Sequence, residues 1–205
     1  MIRTTPFALL LALAAAAPAA AQMQAYGLKL GATVSTLRTD LPSEDPLTRH
    51  GISGVLFAEW NGPGRTSLLT EAGYLERGYS RMAGAEPGTG DDPGYAYRLD
   101  RRMQYVTVAA LAKLPAVELG PASTYAIAGP RMNALVGRRG EDVPGYDYRS
   151  VVWDGTVGIG AEAVRGLPVV AEARYSVGIN DALSGGGWGE PAYHRAVDLM
   201  VGVKF

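Results

Sequence analysis

The two histidines, His50 and His194, are the side chains best placed to move protons near neutral pH. His50 is followed by Ser53, and Glu76 lies further along, so the types for a Ser-His-acid hydrolase are present. Such triads are defined by geometry and not by order in the chain. His194 stands four residues before Asp198. That pair suits a general base with its orienting acid, or two members of a buried polar network. The network is the reading taken here. The stretch Glu86-Pro-Gly-Thr-Gly-Asp-Asp-Pro-Gly94 puts two acids in a glycine-rich loop, but it lacks the spaced acids and closing Glu of a calcium loop. Gly185-Gly-Gly187 has no following Lys-Ser or Lys-Thr and is not a phosphate loop. The chain has 0 cysteines, which removes thiol chemistry, disulfides and thiolate metal sites. The expectation is therefore no catalytic residue, no metal and no cofactor. A formal charge of -1 gives no reason to expect nucleic acid as a partner.

The remaining charges are informative through their parity. Alternation with period two, the signature of strands, runs through eight segments: 26–35, 52–61, 68–77, 105–114, 126–134, 151–162, 169–180 and 197–205. Each has one apolar row, such as Leu28, Leu30, Ala32 and Val34, and one row rich in Gly, Ser, Thr and single charges. The second segment is less clean, with Val55 and Phe57 on the polar side. The polar rows carry the acids Glu59, Glu71, Asp154, Glu162, Glu172 and Asp198 and an equal number of bases, Lys29, Arg77, Lys113, Arg131, Arg174 and Lys204. Buried charges must be paired, and eight strands leave a lumen just wide enough for side chains. The pattern predicts an all-β, eight-stranded antiparallel up-and-down transmembrane β-barrel with its apolar rows toward lipid. Its interior polar network is Glu71, Arg131, Asp154, Glu172, Arg174, His194 and Asp198. Ion pairs are expected to centre on Arg131 and Arg174, with Glu71, Glu172 and Asp198 accepting.

Connection lengths agree with this. Short turns are predicted at 61–65, 115–123 and 164–168, and longer loops at 37–49, 81–100, 137–149 and 181–192. Short periplasmic turns and long outer loops are the outer-membrane pattern. Tyr26, Trp60 and Phe205 fall at one end of the apolar rows, and Tyr74, Trp153 and Tyr193 at the other, as girdles do. The long loops carry Tyr79, Tyr95, Tyr97, Tyr146, Tyr148 and Trp188, which suit either a binding surface or a cover folded over the barrel mouth. Pro130 interrupts the fifth segment, and since a closed barrel has no free edge, a bulge is expected there.

Met1-Ile2-Arg3, the apolar run Phe7 to Ala17 and the small residues before Gln22 follow the order of a secretory signal peptide. The run falls short of the roughly 20 apolar residues that span a bilayer. The expectation is a signal peptide over 1–21, cleaved after Ala21, and a barrel domain over 22–205. In the last segment Leu199, Val201, Val203 and Phe205 alternate back from Phe205. This fits a membrane-insertion signal read by barrel-assembly machinery, and places the chain in the outer membrane of a Gram-negative-type envelope, with outer-membrane lipid as its surroundings.

Gly27-Leu-Lys-Leu-Gly31, Tyr105-Val-Thr-Val108, Ala128-Gly-Pro130 and Gly202-Val-Lys-Phe205 carry a resemblance of the whole mature chain, Tyr26 to Phe205, to the PorT-like outer-membrane β-barrel domain family. The resemblance implies eight strands and outer-membrane residence, and it makes Pro130 a family feature. Some members of that family are linked to protein secretion, so it also implies a possible secretion partner. From the residues themselves, the leading function is structural or binding: a plugged barrel that presents surface loops, with any surface ligand unspecified. The alternatives are a narrow pore or small-ligand channel, for which the glycines of the sixth and seventh segments leave room, an accessory component of a secretion system, and an outer-membrane hydrolase built on His50 or His194.

Overall fold

The computed structural model describes residues 22–38, 47–84, 96–140, 146–163, 168–185 and 192–205. The predicted signal peptide, the acidic loop 86–94 and Trp188 lie outside these residues. The strands are β1 (Met23–Arg38), β2 (Arg49–Asn61), β3 (Ser67–Gly84), β4 (Ala96–Leu119), β5 (Ala122–Arg139), β6 (Tyr146–Tyr148), β7 (Val151–Ala163), β8 (Val169–Gly178), β9 (Leu183–Gly185) and β10 (Tyr193–Lys204). Eight of them close into one antiparallel barrel in the order β1-β10-β8-β7-β5-β4-β3-β2. The short β6 and β9 form a separate two-stranded ribbon. The seam joins β1 to β10 from Gly27↔Lys204 to Arg38↔Tyr193. Beyond it, Phe205 N donates to Tyr26 O (2.7 Å) and Tyr26 N to Phe205 O (3.0 Å). No helix among the described residues is long and apolar enough to cross a membrane, so any crossing is made by strands.

Three details differ from the sequence expectation. First, β3 and β4 stay paired from Ser67↔Lys113 out to Gly84↔Ala96, through much of the predicted loop 81–100. At 18 and 24 residues these strands far exceed the roughly 9–11 that cross a bilayer. The sequence of their outer parts no longer alternates apolar with polar. Hydrogen bonding continues where the hydrophobic period stops. Second, the predicted turn 115–123 shrinks to Gly120 and Pro121, with Gly120 at φ 61°. The irregularity lies between Pro115 and Glu118 instead. There Thr124 Oγ1 accepts from Val117 N and donates to Val117 O, serving backbone groups that the shifted ladder leaves over. Third, Pro130 causes no bulge. The β4–β5 register has the same offset on either side, Ala109↔Arg131 and Ala112↔Ala128. At the neighbouring Gly129 β5 lies close against β4, where an added Cβ would sit 2.2 Å from Ala110 O.

The alternation seen in the sequence becomes two faces. The outer wall exposes Leu30, Ile52, Leu56, Ile159, Leu199 and Val201, each more than half accessible. An apolar belt of this extent suits hydrocarbon and not water. The inner face holds the buried charges, together with the residues that broke the pattern. Val55 and Phe57 are buried, and Phe57 packs with Leu69, Leu111, Tyr125 and Ile127. The lumen is thus partly apolar, a correction to a purely polar interior.

Glycines on the inner face act as slots for the side chains of neighbouring strands. A Cβ on Gly160 would lie 2.4 Å from Tyr125 Cζ, and one on Gly158 3.1 Å from Arg174 Cγ. The room that these two glycines leave is taken up by Tyr125 and Arg174. Gly155 has no atom within 4 Å of an added Cβ. Gly160→Ala should destabilise the folded barrel by about 1–3 kcal/mol through overpacking, while Gly155→Ala leaves it unchanged. Urea unfolding of the refolded barrel in detergent distinguishes the two.

Candidate functional site

The lumen holds three tiers of charge, each with two acids and two bases. At the short-turn end, Lys113 Nζ donates to Glu59 Oε1 (3.0 Å) and Glu162 Oε2 (2.9 Å). Lys204 Nζ reaches Glu162 Oε2 at 2.8 Å and Glu59 Oε2 at 3.1 Å. These side chains come from β2, β4, β7 and β10, so the tier ties opposite walls together. Lys113 Nζ also lies 4.4 Å from the centre of the Tyr125 ring.

The middle tier is the most saturated. Arg174 on β8 forks onto Glu71 on β3, with Nη1 to Oε2 and Nη2 to Oε1 both at 2.6 Å. Its Nε donates to Glu172 Oε2 at 2.7 Å, and its Nη2 also donates to that oxygen. Lys29 on β1 donates to Glu71 Oε1 (3.0 Å) and Glu172 Oε1 (2.6 Å), with its Nζ 4.5 Å from the Phe57 ring centre. Tyr125 OH donates to Glu172 Oε1 at 2.7 Å. The four charged side chains are buried. A bidentate guanidinium–carboxylate pair is the strong form of such a contact, and here the second carboxylate and the ammonium complete it.

Above it, Arg131 Nη1 donates to Asp198 Oδ2 at 2.9 Å, and Thr33 Oγ1 to Asp198 Oδ1 at 2.7 Å. Arg77 Nη1 and Asn133 Nδ2 both donate to Asp154 Oδ2 at 2.6 Å. This tier is less complete: Arg77 Nε and Nη2 and Asp154 Oδ1 have no hydrogen-bond partner among the described residues. His194 is fully buried, and its Nε2 lies 3.0 Å from Tyr105 OH. Tyr105, and not Asp198, is its hydrogen-bond partner, since Asp198 is held by Arg131 and Thr33. The two residues are four apart on β10, so they share a face but stand at different heights. A cap of Leu37, Leu75, Met103, Val152, Ala182 and Leu183 closes the lumen above. Ala182 and Leu183 belong to the last long connection, and β9 there pairs with β6, Tyr148↔Leu183. Two long connections are thus joined over the mouth. The Tyr148 ring centre lies 5.2 Å from the Arg101 guanidinium and 4.8 Å from that of Arg138.

The hydrolase arrangement does not form. His50 is exposed on the outer face of β2, and Ser53 is buried on the inner face. An odd separation in a strand puts two side chains on opposite sides. Among the described residues no cluster of acids and histidines is arranged to hold a metal.

Sequence reasoning named Glu71, Arg131, Asp154, Glu172, Arg174, His194 and Asp198, and the structure brings all of them into the lumen. It passed over Lys29 and Arg77 as members, although their parity placed them on the inner face. It missed the contributions of Tyr125, Asn133 and Thr33. Tyr125 shares the parity of Ile127 and was readable as inward, whereas the partners of Thr33 and Asn133 depend on strand stagger.

A family model described as "Outer membrane protein beta-barrel domain" matches residues 19–184. No curated protein matches the chain. Among solved structures, Neisserial surface protein A shares the barrel fold, with a TM-score of 0.50, 14% identity, and 88% of this chain and 99% of that one covered. Ail, the attachment invasion locus protein of Yersinia pestis, has a TM-score of 0.46 at 14% identity, with 88% and 98% covered. OprG from Pseudomonas aeruginosa has 0.47 at 10%, with 88% and 95% covered.

Arg174→Met should cost about 3–5 kcal/mol, because it leaves two buried carboxylates on one lysine. Arg77→Met should cost less, since Asn133 still donates to Asp154. Urea unfolding in detergent gives both values, and equal losses would show that the middle tier is not the stronger clamp.

Proposed function

Because the chain belongs to the outer membrane protein β-barrel domain family, we propose that it is a side-chain-plugged outer-membrane barrel whose work is structural or binding, done at its long-loop end. One observation carries this reading: Lys29, Glu71, Glu172 and Arg174, from β1, β3 and β8, meet in the middle of the lumen. A capping cluster stands above them and a second charged tier below. Buried, mutually neutralised charges with bidentate geometry close a channel. They offer no site where an acid or base stands ready beside space for a substrate, so the reading is not enzymatic. The ribbon of β6 and β9 supports a loop surface with a defined shape, as binding requires.

The leader over 1–21 is, on this reading, removed during export. The alternating Leu199, Val201, Val203 and Phe205 act as the insertion signal toward barrel-assembly machinery. Phe205 has a second part to play at the seam, where its backbone pairs with Tyr26 and the two rings lie 5.9 Å apart. Gly27–Gly31 and Ala128–Pro130 support a narrower place among PorT-like barrels.

Two outcomes are expected. In planar bilayers the purified barrel shows no wide, stable single-channel conductance, and a steady open pore would overturn the closed-lumen reading. Deleting Phe205 lowers the amount of barrel in isolated outer membranes, measured by fractionation and heat-modifiable mobility in electrophoresis. Wild-type amounts of the deletion would remove Phe205 from the insertion signal.

A further inference from the structure

The outward positions at the two rims differ in charge. At the short-turn rim the outward row is Tyr26, Trp60, Leu114, Val203 and Phe205, with no charge among them. At the long-loop rim it includes Arg38, Arg102, Arg139 and Arg195, with Glu76 as the acid beside Arg102. Ladder parity fixes the side on which these arginines stand. Leu37 and His194 are paired and buried, so their neighbours Arg38 and Arg195 point outward. Met103 and Arg101 are buried, so Arg102 between them points outward too, and Arg139 is its cross-strand partner.

The four arginines form two like-charged doublets on different sides of the barrel. Arg102↔Arg139 are direct cross-strand neighbours on β4 and β5. On the seam, Arg195 is opposite Thr36, and Arg38 is two residues further along β1, a diagonal neighbour at about 7–8 Å. Like charges placed opposite each other destabilise a sheet. Among the described residues little offsets this. Glu76 lies 3.6 Å from Arg102, and it also accepts from Tyr74 OH at 2.9 Å. Arg38, Arg139 and Arg195 have no ion-pair partner among the described residues. Along its own strand each doublet stands past the exposed apolar row: Arg195 is two residues beyond Val197, and Arg102 is four before Val106. Beside the seam the row runs on, since Val177, the partner of Arg195, is followed by the exposed Ile179, so that doublet sits at the margin of the belt. A guanidinium is suited to phosphate, which it binds through two parallel hydrogen bonds.

We infer that the Arg102/Arg139 and Arg38/Arg195 doublets bind phosphate groups on the headgroups of lipids in the leaflet at the long-loop end. The anion supplies the countercharge that the sheet lacks, and the lipid's acyl chains lie on the apolar belt below. Phosphorylated lipid thereby holds the barrel at a set depth, and the uncharged aromatic row at the other rim does not compete for it. The inference rests on the long-loop end facing the outer leaflet. Labelling of that end on whole cells by a membrane-impermeant reagent tests the orientation by itself.

The full chain, folded in zwitterionic detergent, is titrated with a bis-phosphorylated glucosamine acyl lipid, its dephosphorylated counterpart and inorganic phosphate. Bound lipid is counted by native mass spectrometry. The wild type is expected to hold the phosphorylated lipid roughly tenfold more tightly than the dephosphorylated one. Arg102→Gln/Arg139→Gln and Arg38→Gln/Arg195→Gln should each lose roughly tenfold. Arg149→Gln, at an exposed loop arginine paired with Asp181, should behave as wild type. Single variants Arg139→Gln and Arg195→Gln serve where a double variant does not fold. Equal affinity for the two lipids, or doublet variants that bind as wild type, would overturn the inference. So would full displacement of the lipid by equimolar inorganic phosphate, which would make these sites for free anions.

Discussion

Everything in this barrel depends on neutralising charge inside a narrow wall. An eight-stranded cylinder leaves room for side chains and little else, so a charge pointing inward must meet an opposite charge or cost several kcal/mol. The protein meets this in three neutral tiers. The middle one, where Arg174 and Lys29 share Glu71 and Glu172, joins strands that are not neighbours in the ladder. Backbone hydrogen bonds hold each strand to its two flanking strands. The tiers hold the cylinder across its diameter.

That constraint explains the composition of the inner face. Large charged side chains cannot all fit unless others give way, and Gly158 and Gly160 give way to Arg174 and Tyr125. The apolar inner residues Phe57, Leu69, Leu111 and Ile127 fill the remaining space between the lower and middle tiers. They also screen the ion pairs from water, which strengthens them. Among the described residues the interior is packed with the wall's own side chains.

The two rims follow opposite logic from the lumen. Inside, every tier balances. At the outward positions of the long-loop rim, like charges stand side by side, and among the described residues Glu76 alone is an ion-pair partner for them. At the short-turn rim, the outward residues Tyr26, Trp60 and Phe205 are aromatic. Formal charge thus cancels within each described tier, whereas at the long-loop rim like charges are neighbours.

The barrel class, the strand count, the two faces and the inward placement of the charges were all legible in the linear chain, because alternation along a strand is a local property. A residue's parity alone assigns it to lumen or lipid. Parity also separates His50 from Ser53, a consequence visible in the sequence itself. What alternation does not contain is stagger: how far each strand slides against the next. Stagger set Glu71 opposite Arg174, gave His194 to Tyr105 in place of Asp198, and made Arg102 and Arg139 neighbours. Strand length beyond the membrane, as in β3 and β4, was equally hidden, since ladder hydrogen bonds involve every residue whatever its side chain. By itself the sequence determined which way each side chain faces. Only the tertiary structure decided which side chains meet, because height in the barrel is set by backbone register summed around the closed wall.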